Sequence, residues 1–437
     1  MSSEWVISEL GKEAINASRP FSFKQHPNVV FVNTGDVLNG SFLHSDVSCG
    51  KGLPGQAKKA LQQHDILLTE IRPGNRRFAY VDFDARKYVV STKFMVIESL
   101  GRVSPRFLYH VLTNQSALNS FQRIAESRSG TFPQITFDSI AHYPVPVPPD
   151  NDQQKLVEFL DALDQRITLL HETNATLEAI AQALFKSWFV DFDPARAKAE
   201  GLEPEGMDAA TAALFPDSFE ESELGLVPRG WQICSILDIA NLLSGGTPKT
   251  DRAEYWGGDI PWASAKDVSQ AANTILTGTD RTITALGLQK SATRMIPAFS
   301  TVVVARGATT GRMVMFGMSM AMNQTCYALE SKAGTPVALY LVLKKEIDAL
   351  TQKAHGSVFD TITTSTFSAS KTLQIPDALL ACFESVAGPL FRRILAGTQQ
   401  ANTLTQLRNT LLPRLISGQL RLAEAEANVE NALSEAI

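Results

Sequence analysis

Ten residues at alternating intervals of four and three constrain this chain most tightly: Leu156, Leu160, Leu163, Ile167, Leu170, Asn174, Leu177, Ala181, Leu184 and Trp188. Such a stripe, sustained over more than four heptads, marks a helix that buries one face against another helix. Asp150 and Gln153 precede it as an N-terminal capping pair. Asn174 is its one polar member, of the kind that costs stability but fixes register. The same spacing moved by 227 residues falls on Phe383, Ala387, Leu390, Ile394, Gly397, Ala401, Leu404, Arg408, Leu411 and Leu415. Gly397 and Arg408 interrupt this second stripe, and Pro413 is expected to end or kink the helix near Leu412. Two such helices on one chain can bury their stripes against each other. Leu156, Leu163, Ile167, Asn174, Leu177 and Leu184 are expected to pack with Leu390, Ile394, Leu404 and Leu411. At 1.5 Å per residue each helix is a rod of about 50–55 Å.

The duplication extends beyond the helices. Asn28–Val37 resembles Asp259–Val268, and Asp65–Gly74 resembles Ser300–Gly307. Pro105–Tyr109 resembles Pro336–Tyr340. Gly130-Thr131-Phe132 with Ile135-Thr136 resembles Gly356–Phe359 with Ile362-Thr363. The order is the same in both halves, and Arg72 and Arg306 are expected to be equivalent. Each half reads as a globular block followed by a long helix. Short β-rich runs, at Val29–Val32, Ile66–Ile71, Phe78–Val81, Phe94–Glu98, Val302–Ala305 and Met313–Phe316, lie between turn residues and precede helical stretches near 105–125 and 336–354. The fold class expected is α+β with strongly bent or barrel-like sheets. Two globular mixed α/β blocks are separated by two long antiparallel helices in a pseudo-two-fold tandem repeat. The expected boundaries are 1–149 and 225–375 for the blocks, 150–192 and 376–420 for the helices, and 193–224 for an acidic, solvated linker. An Ala- and Glu-rich tail at 421–437 is expected to be disordered.

The chain's net charge of −5 argues against a polyanionic partner, but its distribution does not. Residues 1–150 carry 16 basic and 13 acidic side chains, a net of +3; residues 225–375 carry 14 and 10, a net of +4. Residues 151–224 carry 5 and 16, a net of −11. Two mildly cationic blocks thus flank an acidic segment. No apolar run reaches the roughly 18–20 residues that span a membrane, and the first residues lack the pattern of a signal peptide. Cys49, Cys234, Cys326 and Cys382 lie far apart, which fits a reducing cytosol rather than a disulfide framework or zinc site.

Three stretches carry a resemblance. Glu172–Pro194, with its run Ala183-Leu184-Phe185-Lys186-Ser187-Trp188-Phe189-Val190-Asp191-Phe192-Asp193-Pro194, resembles the central region of type I restriction–modification specificity subunits. Asn402-Thr403-Leu404 and Leu407–Gly418 resemble the distal region. Gly246-Thr247-Pro248, Tyr255–Trp262, Arg306–Gly311 and Asn323-Gln324 resemble one family of target recognition domains. The likeness covers nearly the whole chain. It implies that each globular block is a target recognition domain for one half of a split, asymmetric DNA site. It further implies that the helices space the two blocks and dock two modification (methyltransferase) subunits, and that restriction/translocase subunits complete the complex. S-adenosylmethionine, ATP and Mg are then expected in the partner subunits and no cofactor in this chain, within a bacterial or archaeal cytoplasm.

The chain's own motifs agree with a non-catalytic role. An amino-methyltransferase needs an Asn/Asp-Pro-Pro-aromatic motif and a glycine-rich cofactor loop, and neither occurs. Gly245–Thr250 lacks the glycine before lysine that a phosphate-binding loop requires. Trp256 and Trp262 read as packing residues. Base reading favours arginine for guanine and asparagine or glutamine for adenine, carried on loops. The candidates in the first block are Asn33, Thr34, Arg72, Asn75, Arg76, Arg77, Lys93 and Arg128. Those in the second are Thr247, Lys249, Ser264, Lys266, Arg306, Thr309, Arg312, Asn323 and Gln324. Glycine lets the Ser129-Gly130 and His355-Gly356 segments approach phosphate. The competing reading is a coiled-coil scaffold whose two modules bind proteins; steep salt dependence of duplex binding would separate the two.

Overall fold

The computed structural model describes residues 5–128, 131–353 and 361–435. The chain divides into two compact units, residues 1–167 with 402–437, and residues 168–401. The two long helices are therefore not a module of their own. The first, Asp150–Phe189, and the second, Asp377–Ile416, are each 40 residues long, and each gives one part to each unit. Among the described residues no helix is long and apolar enough to cross a membrane.

In the first unit the strands form two four-stranded sheets. One runs Val47–Cys49, Asn28–Val32, Tyr88–Ser91, Ala57–Ala60; the other runs Ala14–Asn16, Phe94–Ser99, Ile66–Thr69, Phe78–Tyr80. Ile66–Thr69 is buried along its whole length, as expected of a strand covered on both faces. Val30, Val32, Leu67, Phe94 and Val96 form the core between the two sheets. The second unit has a five-stranded sheet, in the order Ala240–Ser244, Cys326–Ser331, Thr301–Val304, Met313–Phe316, Ile275–Leu276. Its first four strands repeat the order of the first unit's second sheet. A three-stranded sheet around Trp256–Ala263 accompanies it. In both units a short hairpin-like pair closes the block: Val6–Glu9 with Pro144–Val147, and Gln232–Ser235 with Lys371–Gln374. The tandem duplication is thus a duplication of topology. Each expected bent sheet is split into two.

The long-helix stripe is buried at Leu156, Leu160, Leu163, Ile167, Leu170 and Asn174. Further on, the buried positions are Ala181, Phe185 and Phe189, while Leu177, Leu184 and Trp188 are only partly covered. A straight helix drifts by about 20° per heptad against a 3.5-residue repeat, so a long heptad reading slips by one position. In the second helix Ile394, Leu404 and Leu411 are buried and Leu390 is partly so. Within the second unit the pairing is antiparallel: Phe189 lies against Phe383, with ring centroids 5.3 Å apart, and Asn174 against Thr398.

Both interruptions of the second stripe have partners. Asn174 donates to Thr398 Oγ1 at 3.1 Å, with both residues buried. A Cβ at Gly397 would stand 2.5 Å from Asn174 Oδ1, so glycine makes room for the amide. In the first unit Arg408 forms an ion pair with Asp164 at 2.5 Å. Gln153 does not cap its own helix. It is buried, accepts from Ser104 N at 2.8 Å and donates to the carbonyls of Arg102 and Pro148. It thereby closes the start of the Pro105–Thr113 helix instead.

Three further expectations are corrected. Pro413 does not end the helix at Leu412, since the helix runs to Ile416. Proline removes one backbone N–H from the helix ladder, and the helix closes within a turn after it. The acidic segment 193–224 is folded: it holds helices Asp193–Ala199 and Ala209–Ala213 and a hairpin of Phe219–Ser222 with Gly225–Pro228. Phe192, Ala195 and Phe215 sink into the second unit's core. The tail is a helix, Leu422–Glu435, with Ala425 and Val429 buried.

Candidate nucleic-acid interface

Asn33 and Ser264 occupy the same place in the two units. Each precedes a short helical turn, Thr34–Asp36 or Ala265–Gln270. Each forms a capping box with the acid three residues on: Asp36 accepts from Asn33 N at 2.8 Å, and Asp267 from Ser264 N at 2.8 Å. Such a box satisfies backbone N–H groups that the turn itself leaves open. The first of these turns is tied to the arginine-rich loop. Arg77 donates to the carbonyls of Gly35 at 2.9 Å and Val37 at 3.0 Å. Arg76 reaches Asn39 Oδ1 at 2.5 Å and Gln115 Oε1 at 2.8 Å. Burial lowers the Arg76 pKa, and the charge of Arg408 lowers it further.

Arg72 and Arg76 both hold left-handed backbone, with φ of 45° and 58°, on either side of the turn Pro73–Asn75. Residues other than glycine adopt this conformation where the surroundings force it. The turn rests on the helix Gln115–Arg128, because Gly74 N donates to Gln122 Oε1 at 3.0 Å. Arg72 and Asn75 are exposed, and their side chains have no partner among the described residues. Asn33, Thr34, Arg72, Asn75, Arg76 and Arg77 are thus brought together. Lys93 is not part of this turn; its carbonyl accepts from Glu70 N at 2.9 Å. Arg128 stands at the far end of the helix, 3.4 Å from Thr136 Oγ1.

In the second unit three segments meet around Met322–Thr325. Gly246 N donates to Met322 O, Asn323 N to Ala263 O and Ala305 N to Thr325 O, at 2.8–2.9 Å. A Cβ on Gly245 or Gly246 would overlap backbone of Met322–Asn323 or Ala292–Thr293, so this approach needs both glycines. Trp262 is buried and donates from Nε1 to Gly246 O at 3.0 Å. Trp256 packs edge-on against it, and the Arg281 guanidinium lies 3.5 Å from the Trp256 ring centroid. Thr247 hydrogen-bonds Gln324, and Asn323 Oδ1 accepts from Thr325. Thr247, Ser264, Asn323 and Gln324 are therefore gathered at one edge, with Lys249 on the same loop. Lys266 instead pairs with Asp280 at 2.6 Å; both are exposed. Arg306, Thr309 and Arg312 lie on the exposed loop between Thr301–Val304 and Met313–Phe316. Their side chains have no partner among the described residues.

The hydrogen-bond register revises one equivalence. Ile135 N donates to Glu70 O, and Ile362 N to Ala305 O. Likewise Ile71 bridges Gln134, and Arg306 bridges Thr361. Arg306 therefore matches Ile71, one position before Arg72. The loops are equivalent, but the arginines are not. The Ser129-Gly130 and His355-Gly356 segments lie outside the described residues. The amide-rich exposed face of Gln115–Arg128 was missed at the level of sequence, although its polar residues at helical spacing were visible.

With this geometry in place, the comparison with known families is decisive. The family described as the type I restriction modification DNA specificity domain matches residues 3–179 and 228–378, one stretch in each half. The chain belongs to this family. A specificity subunit of the HindI type I restriction enzyme from Haemophilus influenzae is 37% identical to it, over 96% of this chain and all of the relative. The MjaIX specificity subunit from Methanocaldococcus jannaschii is 22% identical over 96% of the chain. The crystal structure of a type I restriction–modification S subunit from M. genitalium shares the fold, with a TM-score of 0.55 at 14% identity over 95% of the chain. The two matched stretches fall one in each half of the duplicated topology.

Proposed function

We propose that the chain is the reading subunit of a type I restriction–modification complex, with each unit reading one half of a bipartite, asymmetric DNA site. The observation that carries this is a pair of equivalent exposed loops, Arg72–Arg77 and Arg306–Arg312, in which the guanidinium groups of Arg72, Arg306 and Arg312 have no protein partner among the described residues. Positioning comes from phosphate contacts and identity from base edges. The differing side chains around the two loops call for unlike half-sites. The helix pair sets the gap between half-sites and docks the two methyltransferase subunits. Those partners bring S-adenosylmethionine, and restriction/translocase subunits bring ATP and Mg, while this chain contributes recognition rather than catalysis.

Arg72→Ala and Arg306→Ala are each expected to relax recognition at one half-site only, by roughly 5- to 150-fold if the arginine reads a base. Methylation kinetics of the assembled complex on duplexes varied in one half-site at a time provide the check. Equal loss on every duplex would assign the arginine to the fold or to phosphate instead.

A further inference from the structure

Resting on the DNA-reading proposal above, we propose that the helix Gln115–Arg128 is the base-reading element of the first unit, with Asn119 and Arg123 as specificity-determining residues. Ser116, Asn119 and Arg123 stand at helical intervals of three and four, so they share one face, and all three are exposed. With Gln122 they line a concave surface of the unit. The opposite face, with Ala117, Leu118, Phe121 and Ala125, is buried and fixes the helix to the core. An α-helix presented this way fits the major groove.

The groups around the row are already committed to holding it. Arg76 donates to Gln115 Oε1, Gln115 donates to Asn119 Oδ1 at 2.8 Å, and Gly74 N donates to Gln122 Oε1. The Asn119 amide nitrogen, the Ser116 hydroxyl and the Arg123 guanidinium are left without partners among the described residues. Asparagine can pair with both N6 and N7 of adenine, and arginine with O6 and N7 of guanine. Arg72, Arg76 and Arg77 lie on the adjoining turn and Arg123 and Arg128 on the helix, whose own sequence carries one acid, Glu126. That balance suits a polyanion.

The second unit supplies an independent parallel. There the loop Arg306–Arg312 rests on the helix Pro336–Lys353, with Gly311 against Ile347 and Thr351. That helix carries Lys344 and Asp348, 3.8 Å apart, with Thr351 one turn on. A loop resting on a helix thus recurs in the second unit, with different side chains along the helix.

The test uses the full chain assembled with its modification subunits and compares Asn119→Ala, Arg123→Ala, Arg123→Lys and a Ser127→Ala control. Methylated sites are sequenced genome-wide, and rates are measured on single-base variants. Folding is followed by circular dichroism. The wild type and Ser127→Ala should give the same two-part motif. Asn119→Ala should lose discrimination at an adenine pair and Arg123→Ala at a guanine pair, both in one half-site and by roughly 5- to 150-fold. Arg123→Lys should keep overall binding but not the guanine preference, since lysine lacks the fork. A motif unchanged in all variants overturns the assignment of this helix while leaving two-part reading intact. A wild-type motif that is not two-part overturns the reading on which it rests. Uniform loss on all sequences by folded variants would make the row a phosphate contact and also overturn the proposal.

Discussion

Phe383→Ala is expected to destabilise the second unit by about 3–5 kcal/mol, as for other fully buried aromatic rings. Phe383 has no exposed surface. Its ring meets Phe185 at 5.8 Å, Phe189 at 5.3 Å and Trp188 at 5.8 Å, each near edge-to-face. This cluster joins the two long helices inside the second unit and continues into Ile375, Leu379 and Phe391 of the same core. An alanine would leave a cavity that two helices and a recognition block must share. Near the melting midpoint, 1 kcal/mol corresponds to roughly 2–4 °C for a unit of this size, so the melting transition of the second unit should fall by about 10 °C. Val386→Ala on the same helix is the comparison. Val386 is 47% exposed and should change stability by less than about 0.5 kcal/mol. Scanning calorimetry resolves the two variants, and a Phe383→Ala melt matching the Val386→Ala melt would remove the aromatic cluster from its assigned role.

Gly246→Val is the second large effect, and it acts on specificity. Its added carbons have no space beside Ala292 and Thr293, so the loop must move. Moving it breaks the bonds from Gly246 N to Met322 O and from Trp262 Nε1 to Gly246 O. Thr247 then leaves Gln324, and Lys249 is re-aimed. Overpacking alone costs about 1–3 kcal/mol, so the unit should still fold. Site-specific methylation should drop roughly 100-fold, in keeping with loss of one or more base contacts. Copurification with the modification subunits should persist. Methylation at the wild-type rate would show that this edge does not touch the target.

Periodic features of the fold were legible in the sequence; features that depend on a neighbour were not. A heptad stripe needs only its own spacing, so both long helices could be placed from Leu156 and Phe383 onward. The repeat offset of about 227–235 residues likewise located strands that recur in the same sheet order. The seam was read one position off at Leu184 and Trp188, because spacing alone does not report the drift that turns Phe185 and Phe189 inward. Gly397 looked like a defect until Asn174 was found opposite it. The segment 193–224 looked solvated because its acids dominate its composition, yet Phe192 and Phe215 anchor it. The same limit applies at the interface. Asparagine or serine ahead of a short polar turn suits a base contact and a helix cap equally well. Only the positions of Asp36 and Asp267 show that Asn33 and Ser264 are engaged as caps. Arg72 and Arg77 were both candidates in sequence, but carbonyl oxygens hold Arg77 while Arg72 stands clear.

The most direct measurement is the methylation pattern of a genome modified by this chain together with its methyltransferase partners. Two unlike reading units on one chain predict a single motif: two different short half-sites separated by a fixed run of unspecified bases. A continuous motif, a palindrome, or a gap of variable length would contradict that account.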